Sequence, residues 1–370
     1  VGALYVSFFY GSGIDLGANG EAEFANATRF MVVGQLDSNP YIDEMKIPRL
    51  LYRFRPLNEE LINREMRALK ESYLYAPPFS AMNDPMEAFY ETGGPADHIL
   101  DALLTTTGKS TVEMYRMLSE MIEQFALVSF AGTYEDLPMW AYYGSNFAGM
   151  CLAFESSQLE IGDFQNEHLR SVTYARKALP ALTIAEVANK EAVIARITRK
   201  RSEWAHEKEW RFITGEVGPK HYLDDALQRV YLGPRVNPKH AKRICEVLQR
   251  RPVEILQGKV QGFDLIFESI QKPCNVEQCE RTGAGNFNPV DHEYGRPELE
   301  AFLKVPYQEL LEECQRLSRH PNLEQIAEFD IASSPKNALY LWVTYKLRSG
   351  KEIYHKRYYD QRLKLMPSPA

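Results

Sequence analysis

The sequence predicts an α+β protein with mixed or antiparallel sheets and flanking helices, followed by a small C-terminal α+β unit ending in a β-hairpin. Three observations carry this. Short apolar and aromatic runs of strand length, such as Ala126-Leu127-Val128-Ser129-Phe130, recur between Pro, Gly and Asp punctuation. Helical periodicity separates them over residues 59–69, 184–201 and 237–250. Near the C-terminus, Leu339 to Lys346 and Glu352 to Tyr359 flank Arg348-Ser349-Gly350-Lys351 and form a hairpin.

With 370 residues, 45% hydrophobic and 25% charged, the chain can bury a proper core and is long enough for two domains. A net charge of −7 argues against a surface built throughout to hold polyanions. Five scattered cysteines, an odd number, read as reduced thiols rather than a disulfide framework. No apolar run reaches the length of a membrane span, and Val1 to Tyr10 lacks the basic lead of a secretory signal. A cytoplasmic protein with no membrane partner is the expectation.

Residues 1–47 keep no steady period and read as an irregular arm; Gly11 and Gly13 do not sit between a strand and a helix as a dinucleotide fingerprint requires. Arg49 to Leu57 is a strand ended by Pro56, and Asn58-Glu59-Glu60 opens a helix with Leu61, Ile62, Met66 and Leu69 on one side. Ser72 to Ala76 is a strand stopped by Pro77-Pro78, and Asn83-Asp84-Pro85 is a turn. A helical region over Ala96 to Phe125 leads to the strand Ala126 to Phe130, a helical turn from Pro138 to Tyr143, and the strand Gly149 to Phe154. Val172 to Tyr174 is a short strand and Ile184 to Arg201 a helix. The strand Val230 to Pro234, the helix Asn237 to Arg250 and the strands Val253 to Leu256 and Phe263 to Phe267 complete a first domain, residues 48–268. Residues 269–296, rich in Pro, Gly and Asn, read as a linker. Residues 297–370 form the small accessory domain, with a helix from Glu298 to Arg319 before the hairpin.

The run Glu207-Lys208-Glu209-Trp210-Arg211-Phe212 is where chemistry is expected. On a strand, Glu207, Glu209 and Arg211 share one face. Two carboxylates so placed raise each other's pKa and need a cation, a metal or a ligand hydroxyl opposite them. An ion-pair ladder is the plain alternative. No metal is expected: Cys274 and Cys279, with His292 and Cys314 beyond, lack the matching second pair of a zinc knuckle. Lys346, Arg348, Lys351, His355, Lys356 and Arg357 beside Tyr354, Tyr358 and Tyr359 form a basic aromatic ribbon suited to nucleic acid, though a solvated hairpin face is the preferred reading.

Taken together, Leu51 to Arg55, Met82-Asn83-Asp84-Pro85, Val128-Ser129-Phe130, Met139 to Tyr143 with Gly149 and Phe154, and Trp204 with Glu207 to Arg211 resemble a prokaryotic family, domain of unknown function 2971. The resemblance spans residues 50–267. Met82 stands where a Phe is usual, and Tyr142 and Phe147 where His is frequent. The order of Arg, Ser and Glu-x-Glu strands is similar to that of ADP-ribosyltransferase folds. By that analogy NAD is the substrate and its nicotinamide-ribose bond breaks through an oxocarbenium-like state. Glu209 then holds the ribose hydroxyl, Glu207 orients the acceptor, a protein or nucleic acid, and Ser129 supports the geometry. Arg53 or Arg55 binds phosphate or ribose, and Tyr142 or Tyr75 stacks on nicotinamide. The rivals are a non-catalytic nucleotide-binding or partner-binding module of a prokaryotic defence or stress system, and a metal-dependent nuclease using Asp84, Glu207 and Lys208.

Overall fold

The computed structural model describes residues 46–84, 86–87, 120, 122–164, 168–177, 179, 190–289 and 295–367. All of these belong to one compact unit. The expected arm at residues 1–47, apart from its last two residues, and most of the helix expected over Ala96 to Phe125 lie outside the described residues, as do Pro85 and His292.

The chain runs through β1 (Leu50–Arg55), α1 (Ile62–Glu71), β2 (Tyr73–Ala76), β3 (Ala126–Phe130), α2 (Leu137–Tyr142), β4 (Met150–Glu155), a one-turn α3 (Ser156–Leu159), β5 (His168–Ser171) and β6 (Thr173–Ala175). It continues with α4 (Lys190–Ile197), β7 (Arg199–Arg201), β8 (Trp210–Thr214), β9 (Gly218–His221), β10 (Leu227–Leu232), α5 (Pro238–Leu248), β11 (Glu254–Gln261) and β12 (Asp264–Gln271). The last part holds α6 (Arg296–Phe302), α7 (Tyr307–Ser318), β13 (Leu323–Ile331), β14 (Ala338–Lys346), β15 (Glu352–Asp360) and β16 (Leu365–Met366). This is a mixed α+β architecture, as the sequence predicts. Among the described residues no helix is long and apolar enough to cross a membrane.

A five-stranded sheet has the order β1-β4-β10-β11-β12. Its pairs are antiparallel except β10 with β11, and α5 supplies the crossover that a parallel pair needs. α5 starts as its sequence dictates: Asn237 accepts from the Lys239 N–H at 2.9 Å, and Pro238 fills a position that donates no helical bond. α1 buries Ile62, Met66 and Leu69, spaced by four and three residues, against the core beneath this sheet. A second sheet, β3-β8-β5, is antiparallel, and every residue of its central strand β8 is buried. The two sheets meet at an antiparallel bridge in which Tyr52 and Ala131 exchange hydrogen bonds of 2.9 and 2.6 Å.

The C-terminal sheet, β13-β14-β15-β16, packs α6 and α7 on one face around Leu310, Cys314, Leu341 and Val343. Ile161 and Leu223 join this second core from the earlier part of the chain. Residues 282–286, read from sequence as linker, lie against the start of β13: a Cβ on Gly283 falls 2.1 Å from the Leu323 carbonyl oxygen. Gly283→Ala is therefore expected to cost about 1–3 kcal/mol, read as a lower urea midpoint at unchanged m-value.

Four expectations need correction. Glu207 lies at the end of a 3-10 turn, Ser202–Glu207, and Lys208 takes a left-handed conformation (φ 45°), so the strand starts only at Trp210. The helix expected to Arg201 ends at Ile197, where the apolar periodicity stops; the Thr198 hydroxyl donates to the Ile194 carbonyl at 2.8 Å, and Arg199 to Arg201 pairs with β6. The helix expected from Glu298 to Arg319 is two helices, because Pro306 cannot donate a helical hydrogen bond. Five strands were not anticipated: β5, β7, β9, β13 and β16. β5 and β9 are four residues each, and β13 has charged residues along its exposed face.

Candidate active site where two sheets splay apart

Beyond the Tyr52–Ala131 bridge, β1 turns to pair with β4 and β3 turns to pair with β8. The gap holds a cavity of about 340 Å³, within the range of small-molecule sites. β1 contributes Arg53 and Arg55, β3 contributes Ser129, and α2 contributes Met139 and Tyr142. Tyr143 and Ser145 follow α2; Lys200 comes from β7, and Glu207, Glu209 and Arg211 from the entry to β8. α2 is set by Asp136, whose carboxylate accepts from the Met139 N–H at 2.9 Å, with Pro138 in its first turn.

Glu207 comes from the 3-10 turn and Arg211 from the strand, and the charged groups gather on one side around Lys200. Lys200 is the hub: its Nζ lies 2.7 Å from Glu207, 3.2 Å from Glu209 and 3.2 Å from Glu87. Arg211 is fully buried and holds Glu209 through two contacts of 2.8 and 2.9 Å, Glu87 at 2.7 Å, and the Ile197 carbonyl at 2.5 Å. Three carboxylates face two cations, so the cluster retains one negative charge. Burial pushes Glu209 up, but Arg211 and Lys200 outweigh it and hold the carboxylate down at about 2. Burial pushes Glu87 up, and there the two cations do not outweigh it. Lys200, although desolvated, is held well above its usual range by Glu209, Glu87 and Glu207. Its ammonium also lies 5.2 Å from the Trp204 ring centre.

The two glutamates differ in what they have left to offer. Glu209 accepts two bonds from Arg211 and one from Lys200, which leaves one of its four acceptor sites. Glu207 accepts one bond at each oxygen, from Tyr143 at 2.8 Å and Lys200 at 2.7 Å. Two of its acceptor sites remain. Tyr143 is pushed up to about 12 by burial and by Glu207, so its phenol stays protonated and donating.

Of the residues singled out from sequence, Arg53, Arg55, Ser129, Tyr142, Glu207 and Glu209 line this one cavity. Tyr75 does not; it lies at a smaller neighbouring cavity and is 48% exposed. Tyr142 stands at the mouth, 70% exposed, while its neighbour Tyr143 reaches the carboxylates. Arg55 is engaged by Glu65 at 2.5 and 2.8 Å, and Arg53 donates to the Ser129 carbonyl at 2.6 Å. Sequence reasoning missed Lys200, Glu87 and Tyr143. The missing cation was signalled by the Glu-x-Glu pair itself, which demands one, but Arg199-Lys200-Arg201 had been assigned to a helix end.

The other candidate groups lie elsewhere. Asp84 accepts from the Met86 N–H at 2.9 Å, as a turn residue does, and Lys208 points away from Glu207 against Gly132. Lys200 occupies the space between carboxylates that a nuclease would give to a metal ion. Cys274 and Cys279 lie side by side, and Cys314 is buried in the C-terminal core. In the basic ribbon, Arg348 turns inward to Asp224, Arg357 bonds Tyr345 and Tyr359, and Lys351 pairs with Asp163 at 2.7 Å. Lys356 lies over the rings of Tyr340 and Trp342 at 4.5 and 4.7 Å.

Glu209→Gln is expected to lower stability by about 3–5 kcal/mol, because it strips charge from Arg211 and Lys200 in a buried setting. The wild-type contribution has a sign. The folded pKa, about 2, lies below the unfolded value of about 4.3, so this stabilisation is complete above the unfolded pKa and is lost as pH falls through that window. Urea titrations across it should show a shallower pH slope for the variant.

No curated protein and no solved structure matches the chain. Residues 139–212, which supply Tyr142, Lys200, Glu207, Glu209 and Arg211 to the cavity, match the family described as protein of unknown function (DUF2971).

Proposed function

We propose that the cavity binds a nucleotide and cleaves the nicotinamide-ribose bond of NAD, by transfer or by hydrolysis. The observation that carries this reading is the convergence of Glu207, Glu209, Ser129 and Arg53 on one cavity from three separate segments of the chain. The floor cluster keeps one surplus negative charge, which favours both a positively charged nicotinamide ring and the oxocarbenium-like ribose that forms as it leaves. In the bond-breaking step the C–N electron pair goes to the nicotinamide nitrogen. Water or an acceptor hydroxyl then attacks the ribose carbon and passes its proton to solvent.

The free acceptor sites assign the roles in the reverse of the order expected from sequence. Glu207, with two sites open, takes the ribose hydroxyl; Glu209, with three of its four sites taken, fixes Arg211 and Lys200 and through them Glu207. Tyr143 orients Glu207, and Tyr142 offers a ring at the mouth for stacking. Incubation of the protein with NAD, alone and with cell lysate or DNA, followed by proton NMR of free nicotinamide, tests the reading. Release is the expected result, and its absence in every mixture overturns cleavage.

A second reading, a nucleotide-binding module without catalysis, is favoured by one observation: every described carboxylate in the cavity is already ion-paired. It expects thermal stabilisation by NAD or ADP-ribose with the ligand recovered unchanged.

A further inference from the structure

Arg53 and Arg55 line a second cavity of about 50 Å³ together with Arg64, Glu65, Tyr73 and Tyr75. The charges there do not balance. Glu65 is shared by two guanidiniums, Arg55 at 2.5 and 2.8 Å and Arg64 at 2.8 and 3.0 Å. Arg53 is paired with no carboxylate among the described residues; its guanidinium donates to the Ser129 carbonyl. The other acid whose charge acts on it, Glu209, is already held by Arg211 and Lys200. Three guanidiniums against one carboxylate leave two positive charges at the wall shared by the two cavities.

An uncompensated cation in a half-buried wall is costly to the free protein, and the cost is recovered when an anion arrives. Burial together with Arg55 lowers the Arg53 pKa, the mark of a cation short of counter-charge. Guanidinium forks match phosphate oxygens in a way that an ammonium does not. The smaller cavity is too tight for a nucleoside and suits a phosphoryl group.

We propose that Arg53, Arg55 and Arg64 form a phosphate subsite joining the two cavities, so that the ligand is a phosphorylated nucleoside. Its sugar lies toward Glu207, and its phosphate chain passes out beside Tyr75, whose exposed ring is placed to stack on the outer base. This deepens the nucleotide reading and rests on it for the position of the sugar, but phosphate binding stands whether or not the glycosidic bond is cleaved.

Isothermal titration calorimetry with ADP-ribose, inorganic diphosphate and adenosine, at low and at high salt, tests it on the wild type, Arg64→Ala and Arg53→Gln. The Arg64 side chain is 52% exposed, so its removal leaves the fold intact; thermal melts verify this for both variants. ADP-ribose and diphosphate are expected to bind the wild type with affinity that falls with salt, and adenosine at least about tenfold more weakly. Arg64→Ala should weaken ADP-ribose roughly tenfold, the scale of one charge-assisted hydrogen bond, and Arg53→Gln further. Adenosine binding as tightly as ADP-ribose, or unchanged ADP-ribose affinity in a folded Arg64→Ala, overturns the subsite. The two proposals fail separately: phosphate-dependent binding without nicotinamide release overturns cleavage alone. Nicotinamide release with an unchanged KM for NAD in Arg64→Ala overturns the phosphate subsite alone.

Discussion

Glu207→Gln is expected to reduce nicotinamide release by about a hundredfold to a thousandfold, the usual loss when one group that stabilises developing charge is removed from an active site. Gln is nearly isosteric, and its amide oxygen still accepts from Tyr143 or Lys200. The substitution takes the floor cluster from one surplus negative charge to neutrality, so the buried ions gain no unpaired member and the melting temperature should move little. The loss therefore falls on kcat more than on stability. Glu209→Gln behaves in the opposite way, because it releases two contacts of Arg211 and one of Lys200 and weakens the fold first. Steady-state kinetics beside thermal melts on the two variants separate them. Full turnover by a folded Glu207→Gln protein removes the assignment of Glu207 to the ribose.

The fold class was legible because its signals are local. Strands such as Leu50–Arg55 and Ala126–Phe130 are apolar or alternating runs bounded by breakers, and α5 announces itself by Asn237-Pro238 and an apolar stripe. The convergence of Glu209 and Arg211 was legible for the same reason, since a spacing of two fixes one face, whereas Glu207 joins them from the 3-10 turn before the strand. Lys200 was not. Whether a basic residue in a run of three is buried depends on what packs over it, and here that is Glu87, Glu207 and Glu209, the first of them more than a hundred residues upstream. The division of labour between the glutamates was equally hidden, because it depends on Arg211 taking two acceptor sites of Glu209 and none of Glu207. Sequence shows which charges occur; only the assembled strands show which of them are already spent. The same logic applies to the C-terminal ribbon, where Arg348 and Arg357 look like a nucleic-acid face in sequence and turn inward in the fold.

Asp224→Ala is expected to destabilise the protein by about 3–5 kcal/mol, the cost of leaving buried cations without their anion. Asp224 is almost fully buried and ties two cores together. From the first it takes Arg251 and the Ser72 hydroxyl, the latter at 2.8 Å. From the C-terminal hairpin it takes Arg348, at 2.9 and 2.7 Å. Its N–H donates to the Asn322 side chain at 2.8 Å, and Asn322 in turn donates to the Lys346 carbonyl at 2.9 Å. Burial alone would raise the Asp224 pKa, but Arg348 and Arg251 more than compensate and hold it below the usual range. Its stabilisation is thus complete above the unfolded Asp value of about 3.9 and is lost as pH falls below it. The two arginines cannot lose their charge, so in the variant Arg251 stays buried without a carboxylate and Arg348 keeps only Glu280, at 3.5 Å. Urea denaturation followed by tryptophan fluorescence reads the loss. Because Asp224 joins the cores, it should also break cooperativity, with Trp342 in β14 and Trp140 in α2 reporting separate transitions in single-tryptophan backgrounds of the variant and one shared transition in the wild type. A single transition in both, with a shift under about 1 kcal/mol, would mean that the apolar contacts of Ile161 and Leu223 hold the C-terminal core in place without the ion pairs.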